Sequence, residues 1–299
     1  MIKIAVLITC YNRREKTLAC LNTLFNQQRM VGFEFMVYVV DAGDDQTSQA
    51  VAVQFPDVQL LRGDASTFWA GGMRQAWRTA LVANNDFYLW LNDDVQLLPD
   101  AFARLLTDYH HLMSQSSSQP PIGAVVGTMA AQDRIVGTTP IPTYGGRRRV
   151  STWFPLSFGP VVPPSEQPQR CDFINGNLCL IPAAAVQAIG ILSDRFTHSM
   201  ADYDYGLRLQ AAGYSLWLGS GFHGICPHND PALSVLNKKR PFRARLDSLR
   251  RPNVWAPAAE WSYFVRCHGG PFWPLLWCKV QLRALCPALW LWWSQREIS

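Results

Sequence analysis

The stretch Leu89-Trp90-Leu91-Asn92-Asp93-Asp94-Val95 joins a short apolar run to two adjacent carboxylates, and Pro99 and a helix-like pattern follow it. An apolar run of this length predicts a buried strand. In an open α/β sheet, ligands bind at the carboxyl ends of the strands, so acids at that place suit a metal or a phosphate-bearing ligand. The alternative is that Asp93 and Asp94 begin a turn and cap the helix predicted from about Asp100.

Two strand-loop-helix units precede this stretch. Residues 2–8 form a β-branched, apolar run that ends in Thr9-Cys10-Tyr11-Asn12-Arg13, and residues 35–40 form a second run that ends at Asp41. Between the two runs, apolar residues recur at helical spacing, at Leu18, Leu21, Leu24 and Phe25. This order predicts an α/β fold with a doubly wound, mostly parallel sheet, helices on both faces and two loops that meet over one crevice.

The predicted crevice suits a nucleotide. The ring of Tyr11 can stack on a base, and the carboxylate of Asp41 can accept the imide N–H of uracil or thymine; alternatively, Tyr11 packs and Asp41 caps a turn. The chain has no Gly-x-Gly-x-x-Gly after the first strand and no Gly-Lys-Ser/Thr, which disfavours a dinucleotide-binding fold and a P-loop.

Paired glycines follow the third predicted strand, residues 58–61, in the stretch Phe68-Trp69-Ala70-Gly71-Gly72-Met73. Glycines at a helix start allow the backbone to approach a ligand closely. The helix that follows carries Ala76, Trp77, Ala80 and Leu81, whose spacing predicts core positions.

The composition indicates a globular protein with a large core, because 48% of its 299 residues are hydrophobic. The eight cysteines form no Cys-x-x-Cys pair, and Met1-Ile2-Lys3 leads directly into a strand pattern. We therefore expect a reduced, cytoplasmic protein.

Taken in order, these motifs resemble the family 2 glycosyltransferases of the GT-A fold. The resemblance covers about residues 3–230. Within the family, the chain resembles the rhamnosyltransferase-like enzymes of bacterial surface polysaccharide synthesis. It rests on Thr9-Cys10-Tyr11-Asn12-Arg13, Val39-Val40-Asp41, Phe68-Trp69-Ala70-Gly71-Gly72-Met73, Leu91-Asn92-Asp93-Asp94, Ile174-Asn175-Gly176-Asn177-Leu178-Cys179-Leu180-Ile181-Pro182 and Ala201-Asp202-Tyr203-Asp204-Tyr205-Gly206-Leu207-Arg208.

The resemblance implies a role for each matching position. Those that would hold the nucleotide, diphosphate or donor sugar are Thr9, Tyr11, Arg13, Asp41, Trp69, Gly71, Gly72, Met73 and Asp93. Those on the acceptor and donor-sugar side are Asn175, Gly176, Asn177, Asp204 and Arg208, and the last two stand i, i+4 on a helix and can pair. Asp202 would be the general base; the alternative is a helix N-cap.

The resemblance also implies a divalent metal, Mn²⁺ or Mg²⁺, at Asn92-Asp93-Asp94. Negative charge builds on the phosphate oxygens of a departing nucleoside diphosphate, and a hard cation neutralises it. Asp94 is the expected ligand and His228 the second, with His223 in reserve; a structural histidine is the alternative. Asn92 departs from an acid at the first motif position, which leaves the second ligand open.

One region before the predicted base shows no clear periodicity. Residues 138–170 are rich in Pro, Gly and Arg and predict an acceptor-side lid or else a poorly ordered insertion. Within them, Arg147-Arg148-Arg149 can meet a phosphate of a lipid-linked acceptor or form a solvated face. His198 precedes the predicted base and is a candidate for acceptor contact, whereas His268 has no assigned role.

The C-terminal residues 231–299 are basic and aromatic, with 11 Lys and Arg against three acids. They hold Trp255, Trp261, Trp273, Trp277, Trp290, Trp292 and Trp293. Prolines and cations interrupt the apolar run over 271–293, so it fails as a spanning helix and predicts an anchor on an anionic membrane surface. The alternative is that these tryptophans pack on the catalytic domain or on a dimer partner.

We therefore predict a GT-A catalytic domain over residues 1–230, with a nucleotide-donor half (1–113) and an acceptor half (122–230), followed by the extension 231–299. The predicted enzyme is an inverting, metal-dependent glycosyltransferase that uses a UDP- or dTDP-sugar and a glycan or lipid-linked glycan acceptor on the inner face of the membrane. Nucleic acid is not an expected partner. The alternatives are a non-catalytic sugar-nucleotide or glycan-binding module and a sugar-nucleotide pyrophosphorylase, which would need a glycine-rich, basic loop in place of residues 9–13.

Overall fold

A computed structural model describes residues 1–28, 32–115, 120–131, 140–228, 235, 237, 239–249, 251 and 256–294. The strands are β1 (Ile2–Cys10), β2 (Phe33–Asp41), β3 (Gln59–Arg62), β4 (Phe87–Leu91), β5 (Gln96–Leu97), β6 (Ile122–Val126), β7 (Met129–Ala130), β8 (Pro142–Tyr144), β9 (Arg147–Arg149), β10 (Phe158–Val161), β11 (Gln169–Arg170), β12 (Leu178–Pro182), β13 (Ser215–Leu218) and β14 (Gly224–Ile225). The helices are α1 (Arg14–Phe25), α2 (Thr47–Gln54), α3 (Phe68–Ala80), α4 (Ala101–Ser114), α5 (Ala183–Ile189), α6 (Ala201–Ala211), α7 (Phe242–Ser248), α8 (Ala258–His268), α9 (Trp273–Leu285) and α10 (Pro287–Ser294), with a short 3-10 helix at Gly270–Phe272.

The main sheet has eight strands in the order β11-β13-β6-β12-β4-β1-β2-β3. Strands β1, β2, β3 and β4 run parallel, and β12 pairs antiparallel with both β4 and β6. The predicted α/β, mostly parallel sheet is confirmed. The carboxyl ends of β1, β2 and β4 therefore lie side by side at one edge, where the loops after them meet.

Alternation along the strands divides the core into two layers. In β1, Ala5 and Leu7 face one layer while Val6 and Ile8 face the other, as the two-residue period of a strand requires. Helices α3, α5, α6 and α8 cover the first face, and α1, α2 and α4 cover the second. Helices on both faces explain why the central strands are apolar throughout.

The core prediction for α3 is confirmed for Ala76, Trp77 and Ala80, which are fully buried, and it is wrong for Leu81, which is 45% exposed. Leu81 follows the last residue of α3, so it leaves the helical period that buries the others. Residues 140–170 contain four short strands, β8 to β11, which disfavours the alternative of a poorly ordered insertion. Their role as an acceptor-side lid stays a prediction, and residues 132–139 lie outside the described part.

The C-terminal extension packs on the α/β core through α8. Phe264 and Val265 are buried in the core layer that also holds Tyr205 of α6. Trp261 contacts Phe264 edge-on, and Trp290 is buried, so part of the predicted aromatic surface is internal. Trp255, Lys238 and Arg250, and the side chain of Trp293, lie outside the described residues. Within the described residues, no helix has the length and apolar character needed to cross a membrane.

Candidate active site

A cavity of about 400 Å³ opens where the first strands of the sheet end. It is bordered by the ends of β1, β2 and β4 and the start of α3, as the doubly wound topology predicts. Its lining residues are Thr9, Cys10, Tyr11, Arg13, Ala42, Ala65, Phe68, Trp69, Asp93 and His198. We call it the nucleotide-side cavity. Tyr11 is 53% exposed there, so its ring face is accessible to a base.

Arg13 lies on the two acids that follow β4. Its Nη1 donates to Asp93 Oδ1 at 3.2 Å and to Asp94 Oδ2 at 3.0 Å. The side chain of Arg13 is 44% exposed, whereas those of Asp93 and Asp94 are 8% and 19% exposed. The guanidinium thus neutralises the acid pair from the solvent side, and its contact with the base and ribose stays a prediction.

Asp93 retains one oxygen without a partner. Its Oδ2 is buried and accepts no hydrogen bond within the described residues, although Oδ1 pairs with Arg13. Burial raises the pKa of Asp93 to about 7, Arg13 opposes this rise, and Asp94 adds to it. An orphaned buried carboxylate oxygen is costly unless a cation or donor satisfies it.

The donor set at this place fits a divalent metal. Asp94 Oδ1 lies 3.7 Å from Cys226 Sγ, so the segment that carries His228 two residues later adjoins the acids. His228 itself is exposed and contacts the ring of Tyr144 at 5.4 Å. No group of three metal-binding side chains is assembled among the described residues. Carboxylate oxygens of Asp93 and Asp94, with phosphate oxygens of a ligand, are the hard ligands that Mg²⁺ and Mn²⁺ prefer.

The reserve metal ligand, His223, is internal. It is fully buried, and its Nδ1 accepts a hydrogen bond from the backbone N–H of Thr128 at 3.3 Å. Burial lowers the pKa of His223 to about 3, so the ring is neutral at pH 7. His223 therefore supports β14 and the loop before it.

Asp41 uses its carboxylate within its own loop. Oδ1 accepts from the backbone N–H of Gly43 at 2.9 Å and lies 3.7 Å from the Cys10 thiol. Oδ2 accepts from the backbone N–H and the hydroxyl of Ser48, at 3.0 and 2.5 Å. A carboxylate has about four acceptor positions, and all four are used here. Asp41 binds a base only if one of these bonds is exchanged.

A second cavity, of about 280 Å³, adjoins the first. It is lined by Trp69, Asn92, Asn175, Gly176, Asn177, His198, Ser199, Met200, Asp202 and Tyr203. Trp69 and His198 line both cavities, so these two rings form the wall between them. Trp69 Nε1 donates to Asn92 Oδ1 at 2.8 Å, which fixes the indole beside the acid pair. We call this space the acceptor-side cavity.

Asp202 lies in the acceptor-side cavity at the start of α6. Its Oδ2 accepts from the backbone N–H of Gly176 at 3.1 Å, and Oδ1 accepts from the N–H of Tyr203 at 2.9 Å. Burial raises the pKa of Asp202 to about 6, against these hydrogen bonds and the charge of Arg147, which lower it. A carboxylate tuned close to neutrality is suited to take a proton from a hydroxyl.

Several predicted site residues support the cavities from behind. Met73 is fully buried in the core, and Gly72 lies against the Thr9 side chain, where a Cβ would clash. Neither these two residues nor Gly71 is among the residues that line the nucleotide-side or the acceptor-side cavity. Gly72 lets α3 approach the end of β1, which positions Trp69, and Met73 packs in the core. The ligand contacts expected of both residues stay predictions.

Asp204 and Arg208 form the predicted i, i+4 pair, with Arg208 Nε donating to Asp204 Oδ2 at 2.8 Å. Arg208 also donates to the carbonyls of Ile189 and Ile191. Asp204 is 1% exposed, so the pair holds α6 and does not reach the acceptor. His268 of α8 completes it, since its Nε2 lies 2.8 Å from Asp204 Oδ1.

We expect His268→Ala to lower the free energy of unfolding by about 1–3 kcal/mol, because it leaves Asp204 Oδ1 buried without its partner. The measurement is urea unfolding of the full chain. His110→Ala, at an exposed histidine of α4, is the matched control and is expected to stay within about 0.5 kcal/mol of the parent. Equal stability of both variants would contradict the role assigned to His268.

Two features of the wall between the cavities could not be predicted from the sequence. His198 was assigned to the acceptor alone, yet it contacts both cavities, and its buried Nδ1 has no partner among the described residues. Phe68 and Met200 have positive φ angles of 47° and 70°, and both line a cavity. Left-handed non-glycine residues concentrate at functional sites, but no sequence signal marks them at Phe or Met.

A protein-family model matches the part of the chain that borders the nucleotide-side cavity. Residues 5–128 match the model for Glycosyl transferase family 2. This span contains β1, β2, α3 and β4, which border the nucleotide-side cavity, and both acids after β4. Over these residues the chain is similar to the family 2 glycosyltransferases. On this match it is a glycosyltransferase; Asp202 lies beyond the matched residues, so its role as base remains a prediction.

Two solved structures share the fold. The mannosyltransferase PcManGT from Pyrobaculum calidifontis, in complex with GDP-Man and Mn²⁺, matches with a TM-score of 0.53 and 15% identity, over 98% of this chain and 73% of that one. S. aureus TarS 1–349 matches with a TM-score of 0.52 and 15% identity, over 99% and 88%. At this identity the likeness supports the GT-A fold. A search among curated proteins found no match.

Proposed function

We propose that this glycosyltransferase moves a sugar, with inversion, from a nucleoside diphosphate donor to a hydroxyl of a glycan or lipid-linked glycan acceptor. The observation that carries the proposal is the pair of adjoining cavities, one bordered by Arg13 and Asp93 and the other by Asp202. A donor that spans the wall at Trp69 and His198 has its diphosphate in the first cavity and its anomeric carbon towards the second.

In this proposal, the loops after β1 and β2 bind the donor. Tyr11 offers an exposed ring for base stacking, and Thr9 offers a hydroxyl at the cavity floor. We retain UDP- and dTDP-sugars as the proposed donors, with Asp41 accepting the imide N–H in exchange for one of its loop bonds. GDP belongs in the test because PcManGT was solved with GDP-Man.

Asp93 and Asp94 would hold the divalent cation, with His228 as the proposed further ligand. The cation supplies charge neutralisation for the departing diphosphate. Arg13 bonds Asp93 Oδ1 and Asp94 Oδ2 in this structure, and in this proposal it would leave them once a cation neutralised the pair. Its guanidinium is then available to the diphosphate, for which its forked donors are suited.

Asp202 acts as the base in this proposal. From the acceptor-side cavity it removes the proton of the acceptor hydroxyl, and the oxygen attacks the anomeric carbon opposite the leaving diphosphate, which inverts the configuration. The backbone N–H groups of Gly176 and Tyr203 orient the carboxylate. His198, neutral because burial and Arg13 lower its pKa, offers a polar nitrogen to the sugar at the wall.

The pH profile follows from Asp202. The base must be ionised, so kcat/KM is expected to be constant above neutrality and to fall tenfold per pH unit below about pH 6. The charged or titratable groups that act on it are Arg147, which lowers its pKa, and the Tyr203 phenol and Cys179 thiol, whose own pKa values Asp202 raises. A profile that stays flat to pH 4.5, measured with saturating metal, contradicts the assignment.

The reaction class is tested by incubating the full chain with UDP-, dTDP-, GDP- and CDP-sugars and Mn²⁺, with water as the slow acceptor. Release of a nucleoside diphosphate from one of them, abolished in Asp202→Asn, supports the proposal. Formation of a nucleoside triphosphate on adding pyrophosphate would indicate a pyrophosphorylase. Binding without any turnover, in this assay and with glycan acceptors, would indicate a binding module.

A further inference from the structure

Helix α9 leaves large apolar side chains exposed. Its buried side carries Val280, which is 7% exposed, and Arg283, which is 9% exposed, donates to the carbonyl of Ala256 at 2.9 Å and lies over the ring of Trp261. Its outward side carries Leu275 and Leu285, which are 70% and 81% exposed. The exposed Cys278 lies between them on the same side. The solvent side of a helix in water is normally polar, so leucines this exposed indicate a surface that is covered by something else.

A second exposed group extends this surface. The turn after β9 carries Val150, Trp153 and Phe154, which are 71%, 79% and 50% exposed. The ring of Phe154 stacks on Phe272 with a centroid distance of 4.5 Å, and Phe272 directly precedes α9. The turn and the helix therefore meet, and we call their exposed residues together the apolar face: Val150, Trp153, Phe154, Trp273, Leu275, Trp277, Cys278 and Leu285.

Cations accompany the apolar face. Arg266 lies over the ring of Trp273 at 5.7 Å, Lys279 is exposed on α9, and Arg148 is exposed on β9 beside Val150. The whole extension has 11 Lys and Arg against three acids. Exposed tryptophans beside cations suit the interface of a bilayer with anionic lipids, where the rings enter the headgroup region and the cations meet phosphate.

We propose that the apolar face binds an anionic lipid bilayer, and that it includes the β9–β10 turn as well as the C-terminal helices. A second copy of the chain is the less suitable occupant, because pairing two such faces brings like charges together. Within residues 231–299, the proposed membrane-binding surface is therefore limited to α9 and the residues beside it. It also includes the β9–β10 turn, which lies outside that range.

The apolar face is connected to the acceptor-side cavity. Phe158 of β10 contacts the ring of Tyr203 at 4.9 Å, next to Asp202. Helix α8 holds α6 through His268 and Asp204. These contacts link the elements that carry the apolar face to the helix that carries the base. This step, which rests on the proposed function, favours a membrane-embedded carrier as the acceptor.

The test is co-sedimentation of the full chain with phosphatidylcholine vesicles, with and without phosphatidylglycerol, in the absence of donor and metal. We expect binding to the anionic vesicles, weakened by salt, and at least about tenfold weaker binding to neutral ones. Leu275→Ser/Leu285→Ser and Trp153→Ser/Phe154→Ser are each expected to weaken binding by about tenfold or more. Val53→Ser/Val82→Ser removes two exposed valines elsewhere and is expected to have no effect.

Circular dichroism identifies any variant that fails to fold. If one double variant does not fold, the vesicle binding of the other double variant tests the proposal. Absence of vesicle binding by the parent overturns the proposal, as does a stable dimer that Leu275→Ser/Leu285→Ser dissociates. Loss of binding only in the helix variant overturns the part assigned to the β9–β10 turn. Because vesicle binding is measured without substrate, it succeeds or fails independently of glycosyl transfer.

Discussion

We expect Asp202→Asn to lower kcat by about 10²–10⁴-fold, because a positioned general base contributes that much to a proton transfer. The amide retains the shape of the carboxylate and one acceptor for the N–H of Gly176 or Tyr203. It cannot take a proton at neutral pH. Since Asp202 does not border the nucleotide-side cavity, the KM for the donor is expected to change by less than about threefold.

The measurement is steady-state glycosyl transfer, with donor binding measured separately by calorimetry. Asp57→Asn removes an exposed carboxylate that lines neither cavity and is the matched control, with full activity expected. A variant that loses donor binding together with kcat would assign Asp202 to the donor site. Unchanged kcat would remove it from the chemistry altogether.

Asp94→Ala is expected to weaken Mn²⁺ binding at least about 100-fold, since even outer-shell partners of metal ligands contribute about 10–100-fold. Asp94 is the more exposed of the two acids and faces the Cys226 segment, so it is the expected direct ligand. Only a partly exposed ion pair with Arg13 is lost, so stability is expected to fall by no more than about 1 kcal/mol.

Mn²⁺ titration followed by electron paramagnetic resonance measures this affinity in the presence of a nucleoside diphosphate, without any turnover. Asp57→Ala is the control and should bind as the parent does. His228→Ala, measured alongside, tests the second proposed ligand. If Asp94→Ala and the parent bind Mn²⁺ equally, the metal lies elsewhere. Arg13 is then the cation that neutralises the diphosphate.

The sheet and its ligand-binding edge could be predicted because they depend on local patterns. Apolar runs that end in Asp41 or Asp93 indicate strands and their carboxyl ends, and parallel strands bring those ends together. Asp202 was placed by resemblance, and the structure brings it to a cavity next to the one bordered by Asp93. These inferences need only the order of elements along the chain.

The remaining features depend on contacts distant in sequence. His268 reaches Asp204 across 64 residues, and no periodicity announces that bond. Ser48 fills the acceptor positions of Asp41 from the next helix, so the availability of the carboxylate could not be deduced from its place after β2. Met73 illustrates an ambiguity, since a residue in a glycine-rich helix start can face either the ligand or the core.

The most direct test of the central claim is calorimetry of the full chain with UDP, dTDP, GDP and CDP, each with and without Mn²⁺. We expect Mn²⁺-dependent binding of UDP or dTDP, and weaker binding in Arg13→Ala because the guanidinium passes from the acids to the diphosphate. Binding of none of the four, under conditions in which the chain is folded, would contradict a donor site at the nucleotide-side cavity and with it the proposed reaction.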